Sequence, residues 1–123
     1  MSKRILDVGN CGYDHSAIAR LVQREFNAVA VAADDAHEAL REARTGSYAL
    51  IVVNRVLDAD GSEGIEIIEA LKSDPATQHL PVMMITNYPE HQAKALAAGA
   101  EPGFGKSTLH EPSTRERLAK FLA

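Results

Sequence analysis

The sequence predicts an α/β protein of three layers, in which a five-stranded parallel sheet is covered by helices on both faces. Two observations carry this expectation. Short apolar runs alternate with segments of helical period along the whole chain. One of these runs, Tyr48 to Val53, is apolar throughout, as a strand covered on both faces must be. Five strands alternating with five helices leave a parallel sheet with crossover helices as the consistent arrangement.

The elements follow in order. Arg4 to Val8 reads as the first strand. Asp14 is a suitable N-cap for a helix reaching about Phe26, with Ile18, Leu21, Val22 and Phe26 on one face. Ala28 to Ala33 is the second strand. Asp35 caps a second helix through about Arg44, and Gly46 ends it. Tyr48 to Val53 is the third strand, and a polar loop from Asn54 to Gly64 follows. Ile65 to Lys72 is the third helix and Pro81 to Thr86 the fourth strand. Pro89 to Ala98 is a helix closed by Gly99. Glu101 to Lys106 is a weak fifth strand. Ser113 to Leu122 is the last helix, with Pro112 at its start.

The 123 residues are expected to form one domain, residues 1–123. Hydrophobic residues make up 46% and aromatics 5%, with no Trp, so the core is built from aliphatic side chains. A net charge of −4 gives no general affinity for nucleic acid. The single cysteine, Cys11, permits no internal disulfide and fits a reducing cytoplasm. No apolar run has the length of a membrane span, and no signal-peptide core follows the start, so a cytoplasmic location is expected.

In parallel sheets of this kind the functional crevice lies beyond the carboxyl ends of the strands, at the topological switch point. Gly9 to Tyr13, Asn54 to Gly64, Thr86 to Tyr88 and Lys106 to Thr108 are the segments that should form it. The text around those ends resembles the receiver domain of two-component response regulators over almost the whole chain. The resemblance is carried by Pro-Val-Met-Met-Ile-Thr (Pro81 to Thr86), Ala-Ala-Gly-Ala (Ala97 to Ala100) and Leu-Lys-Ser-Asp-Pro-Ala-Thr (Leu71 to Thr77). Lys106 falls where that family keeps a lysine, and Thr86 where it keeps Ser or Thr. The resemblance implies a (βα)5 flavodoxin-like receiver fold with strand order 2-1-3-4-5.

It also implies a phosphorylation pocket that this chain does not match. The family places two acids after the first strand, which bind Mg²⁺, and a third at the end of the third strand, which accepts the phosphoryl group. Here those positions hold Gly9, Asn10 and Asn54. A hard cation prefers anionic oxygen, and an acyl phosphate requires a carboxylate nucleophile. The resemblance therefore implies a degenerate pocket of Gly9, Asn10, Asn54, Thr86 and Lys106 with no catalytic residue, no metal and no cofactor. The spacings from Asn10 to Asn54 and from Asn54 to Lys106 fit the family. The loop after Asn54 is longer than usual, and Asp58 stands in place of its proline. Gly103 occupies the place of the family's aromatic switch residue, and Ser107 that of a proline. Phe104, next to Gly103, should point to the opposite face.

Asp7 and Asp58 are the acids that could compensate. Asp7 lies inside a strand, where a charge is costly unless paired. It shares a face with Gly9, whose missing side chain would leave space above it. Two readings stand: Asp7 reaches through that space toward Lys106, or it meets water or a backbone donor. Lys106 is either a solvated rim residue or an anchor on the amide oxygen of Asn54 or Asn10.

Three further motifs are weak. Ala100 to Ser107 satisfies a relaxed phosphate-binding loop, but Pro112 interrupts the short stretch after it, and a helix is required there. Asp58, Asp60, Ser62, Ile65 and Glu69 have the offsets of a calcium loop. Glu63, however, replaces the turn glycine, and a strand, not a helix, precedes the segment. Cys11 and His15 are too few to bind a metal, and Cys11 is a loop thiol with no visible activation. Ala93 to Ala98 offers a small-residue helix face of the kind that meets partners in receivers.

The expected function is a stand-alone, non-enzymatic signalling module that acts by protein–protein interaction. Its partners would be signalling proteins such as a histidine kinase or a downstream effector, with no nucleic acid and no membrane. The chain itself is expected to be a monomer or weak homodimer. Two alternatives remain open: a phosphoryl-accepting receiver that uses an unconventional Asp, and small-ligand binding in the same crevice.

Overall fold

The computed structural model describes residues 2–123. Its elements are β1 (Arg4–Val8), α1 (Gly12–Phe26), β2 (Val29–Ala33), α2 (Ala36–Ala43), β3 (Leu50–Asn54), α3 (Gly64–Ser73), β4 (Val82–Ile85), α4 (Pro89–Ala97), β5 (Glu101–Phe104) and α5 (Pro112–Leu122). A single 3₁₀ turn, Lys106–Thr108, follows β5. The strands pair in parallel in the order β2-β1-β3-β4-β5.

The period of two divides each strand between two cores. Leu6, Val8, Ile51, Val53, Val82 and Met84 face α2, α3 and α4. Ile5, Leu50, Val52, Met83 and Ile85 face α1 and α5. Both sides of the central strands are thus dry, which is why Leu50 to Val53 show no polar alternation. Full burial of each such side chain contributes about 1.5–3 kcal/mol.

Several boundaries differ from the sequence expectation. α1 starts at Gly12 with Cys11 at its N-cap, so Asp14 lies inside the first turn and does not cap the helix. The helix dipole favours an acid there in either position. Asp35 does cap α2, accepting from the Glu38 N–H at 2.9 Å. β3 begins two positions late, at Leu50, and Tyr48 before it turns its hydroxyl to Glu42 (2.6 Å). Asn54 is the last residue of β3 and not the first of the loop. β5 stops at Phe104, and Lys106 opens the 3₁₀ turn.

The loop after β3 is not uniformly polar. Leu57 is buried at 1% exposure, and Val56 bridges Glu63 to fold the loop back on itself. β1 passes into α1 on one face of the sheet, while β3 passes into α3 on the other. The chain therefore changes the face it crosses between β1 and β3, which makes this the topological switch point of the sheet.

Candidate functional site

Gly9 and Asn10 follow β1, Asn54 ends β3, Thr86 follows β4, and Lys106 follows β5. In a parallel sheet these positions all reach the same edge, so the structure brings the five residues to one end of the molecule. The links between them differ from those the sequence suggests.

Gly9 is held by its backbone. Its N–H donates to Ala33 O (2.8 Å), and its carbonyl accepts from the Asn54 carboxamide (3.1 Å) and from the Asp58 N–H (2.9 Å). The ends of β1 and β3 and the following loop are thereby joined at one oxygen. Gly9 has φ of +79°, and a Cβ there would lie 2.5 Å from Leu57 Cγ. The space expected above Asp7 is therefore filled by the Leu57 side chain. Nothing in the sequence singles out Leu57, because its burial depends on the loop folding back.

Asp7 does not pair with Lys106. It is 1% exposed, and both its oxygens are engaged within α1 and the loop before it. Asn10 Nδ2 donates to one at 2.5 Å, and His15 Nδ1 meets the other at 2.7 Å. Burial pushes the Asp7 carboxyl above its ordinary range; the bonds from His15 and Asn10 and the charge of Lys106 oppose that rise. Asn10 turns its amide nitrogen to Asp7, and its Oδ1 is buried without a protein partner. His15 stands one helical turn beyond Cys11 on α1, which is the signal in the sequence that it could approach a β1 side chain.

Lys106 is anchored, but on Asp14 Oδ2 (2.8 Å) and not on an amide of Asn54 or Asn10. The Lys106 ammonium beside Asp14 holds that carboxyl below its usual range, and the Cys11 thiol, donating at 3.4 Å, adds to the effect. An ammonium prefers a carboxylate to a neutral amide, and the first turn of α1 supplies the one within reach. Asp58 is exposed, with its N–H fixed to Gly9 at the crevice edge.

Beyond Thr86, the Asn87 carboxamide oxygen accepts from both the N–H (3.1 Å) and the hydroxyl (2.9 Å) of Ser107. A cavity of about 130 Å³ opens there, lined by Asn54, Arg55, Ile85, Thr86, Asn87, Tyr88 and Lys106. No acidic side chain is among them.

At Gly103, where the resemblance implies an aromatic residue, a glutamine bridges the two strands instead. Gln92 on α4 donates to Met84 O (2.9 Å) and accepts from the Gly103 N–H (3.1 Å). It bridges β4 and β5 where their register shifts. A Cβ on Gly103 would collide with Met84 O and crowd both polar atoms of Gln92. Arg117 on α5 donates to Gly103 O, which closes the same point from the other side. Phe104 points the opposite way, into the core between the sheet and α1 and α5, as the strand period predicts.

The other motifs find no such geometry. Gly103 and Phe104 of the phosphate-loop pattern belong to β5, so that segment is strand and 3₁₀ turn. The calcium-loop pattern follows β3, and its Ile65 and Glu69 lie within α3. Among the described residues, no group of three or more His, Cys, Asp or Glu side chains gathers to hold a metal. None of the described helices is long and apolar enough to cross a membrane.

A parallel sheet in this order, with its loops meeting at the switch point, defines a flavodoxin-like three-layer protein. Residues 14–120 match the family model of the response regulator receiver domain, and the chain belongs to that family. No curated protein matches the chain. Among solved structures it is similar to the signal receiver domain of the DNA-binding response regulator merR of Colwellia psychrerythraea 34H, at 20% identity, 97% coverage of each chain and a TM-score of 0.81. It is also similar to chemotaxis response regulator CheY4 of Vibrio cholerae, at 21% identity, 98% and 95% coverage and a TM-score of 0.71. The receiver domain of a sensor histidine kinase from Pseudomonas aeruginosa PAO1 matches at 19% identity, 99% and 95% coverage and a TM-score of 0.71; that structure holds magnesium in its active-site cleft. At these identities the likeness to solved structures concerns the fold. The family match makes this chain a receiver-domain module of two-component signalling, a class that is generally non-enzymatic and works with histidine kinases and effectors.

Proposed function

We propose that the chain is a pseudo-receiver: a signalling module, residues 1–123, that acts by binding another protein and does not accept a phosphoryl group on the sheet edge. The observation that carries this reading is the bond from Asn54 Nδ2 to Gly9 O. An amide can donate there and an ionised carboxylate cannot, so the residue at the phosphoacceptor position serves as a structural donor.

The donor set also does not fit a magnesium ion. Gly9 offers no side chain, and its carbonyl is already shared by Asn54 and Asp58. Asp7 has both oxygens occupied. The one orphaned acceptor, Asn10 Oδ1, is a neutral oxygen, and a hard divalent cation needs several oxygens with anionic character. The Gln92 bridge supports a partner surface around α4 and β5 that is held in one state. Partners would be a histidine kinase or a downstream effector, met in the cytoplasm by a monomer or weak homodimer. The net charge of −4 speaks against nucleic acid as the target.

A magnesium titration followed by amide NMR tests the reading. The expected result is no saturable shift at residues 9, 10, 54 and 58. Saturable shifts at those amides would overturn it. One observation favours a second reading. Asp58 is exposed and tethered at the crevice edge through its N–H, so it is the acid best placed to accept phosphate unconventionally. Phosphoryl incorporation that Asp58→Asn abolishes would establish it.

A further inference from the structure

The two edges of the sheet are finished differently. At β5, Pro102 offers no N–H, and side chains take the backbone groups of Gly103: Gln92 accepts from its N–H and Arg117 donates to its carbonyl. β2, the opposite edge, reads Val-Ala-Val-Ala-Ala, with neither a charged residue nor a proline. We propose that β2 pairs antiparallel with β2 of a second copy of this chain, joining the two sheets into one across a two-fold axis at Val31. The proposal is independent of whether the chain accepts phosphate.

The phase of the β1–β2 ladder decides which groups of β2 are free. The Val29 N–H donates to Lys3 O (2.9 Å), and Ala33 O accepts from the Gly9 N–H (2.8 Å). These bonds lie at the two ends of a parallel pairing that runs from Arg4 opposite Val29 to Val8 opposite Ala33. Alternate residues of a strand bond to a parallel neighbour, so Val29, Val31 and Ala33 face β1. The N–H and carbonyl groups of Ala30 and Ala32 therefore point away from the sheet, and among the described residues no loop backbone bonds them. Only methyl side chains stand beside these groups. Val29 (44% exposed) and Ala32 are exposed on opposite faces, so the flanking helices do not cover the edge.

The free groups are self-complementary. Antiparallel partners alternate between pairs that exchange both hydrogen bonds and pairs that exchange none. Setting Ala30 of one copy opposite Ala32 of the other makes both couples bonded pairs and satisfies the free groups of both strands. Val31 then meets its own copy on the axis, and Val29 meets Ala33, as the closer non-bonded pairs. An isologous contact of this kind closes at two copies and leaves no further β2 edge. The charges at the strand ends agree. β2 is followed by Asp34 and Asp35, neither of which forms an ion pair among the described residues. In the antiparallel register Asp34 comes opposite Ala28 of the second copy, just past the last turn of α1. There Arg24 and Arg115 share the single carboxylate of Glu25 and leave one positive charge in excess. Parallel pairing in register would set the acids of the two copies side by side.

The test follows the full chain by sedimentation equilibrium and amide NMR from about 10 μM to about 1 mM, the range suited to a small interface. The expected result is a mass that rises toward twice that of one chain, with concentration-dependent shifts at the Ala30 and Ala32 amides. In a mixture of labelled and unlabelled chain, an isotope-filtered contact between the Hα atoms of Val29 and Ala33 reports the register. Ala32→Lys places a charge on the edge at an exposed position and is expected to weaken dimerisation about tenfold, with thermal unfolding of the monomer unchanged. A chain that stays monomeric to about 1 mM overturns the proposal and leaves the edge to a strand of another protein. A dimer whose shifts fall elsewhere, or one that Ala32→Lys forms equally well, also overturns it. The pseudo-receiver reading fails by a different signal, phosphoryl incorporation in the intact mass, so the two failures are distinguishable.

Discussion

Asn54 donates its carboxamide N–H to the backbone carbonyl of Gly9 at 3.1 Å, tying the end of β3 to the end of β1. Asn54→Asp replaces that donor with a carboxylate facing a carbonyl oxygen. The change is expected to cost about 1–3 kcal/mol near neutral pH, the penalty for opposing two acceptors. Acidification should recover part of the loss, because the protonated carboxyl can donate again. Urea denaturation of both proteins at neutral and acid pH reads the difference. An Asn54→Asp protein as stable as the parent at neutral pH would remove the structural role of the amide.

Gly9 presents a second obstacle to rebuilding an acidic pocket. Its φ of +79° disfavours a side chain, and Leu57 fills the place a Cβ would take. Gly9→Asp is expected to destabilise by about 1–3 kcal/mol through backbone strain and overpacking. Leu57→Ala alone should cost about 2–5 kcal/mol as a buried truncation. The double variant should lose less than the sum, because the truncation makes room for the new side chain. Thermal or urea unfolding of the four proteins gives the coupling; strict additivity would show that the two side chains do not compete.

The fold was legible in the sequence to the level of strand order, and the candidate site only to the level of which strand ends share one edge. Apolar periodicity marks the two cores because Ile5 and Leu6 must face opposite sides. It cannot show that Leu57 folds over Gly9, since that contact depends on a loop bridging back through Val56 and Glu63. The acid at position 7 is visible as an anomaly. Its partners are not, because His15 reaches it from the first turns of α1 and Asn10 from the loop before that helix, and Lys106 is drawn away by Asp14. The place of the missing aromatic at Gly103 is legible as a gap. That Gln92 fills it depends on the β4–β5 register shift.

The raised carboxyl of Asp7 makes stability depend on pH. Unfolded, Asp7 titrates near 3.8; folded, burial holds its proton to a higher pH, against the opposing pull of His15 on α1 and Lys106 beside β5. The folded state binds more protons between the two values, so this contribution is full below the unfolded value and is lost as pH rises through the folded one. Asp7→Asn should abolish that slope. It also lets Asn10 turn its amide, since a new NH₂ can donate to the orphaned Oδ1. Urea midpoints against pH for parent and Asp7→Asn check this. Equal slopes across the acid range would contradict it.

Gln92 carries the hydrogen bonds that the shifted β4–β5 ladder omits. Gln92→Ala should cost about 1–3 kcal/mol, because the Gly103 N–H and the Met84 carbonyl lose a partner. The Gly103 amide should then exchange faster with solvent. Unchanged exchange at Gly103 would show that the bridge does not hold β5.

The most direct measurement of the central claim is the intact mass of the parent chain after incubation with magnesium and acetyl phosphate, beside a phosphorylatable receiver as positive control. No phosphoryl adduct is expected on this chain under conditions that load the control. A stable adduct, released by hydroxylamine as an acyl phosphate is, would contradict it.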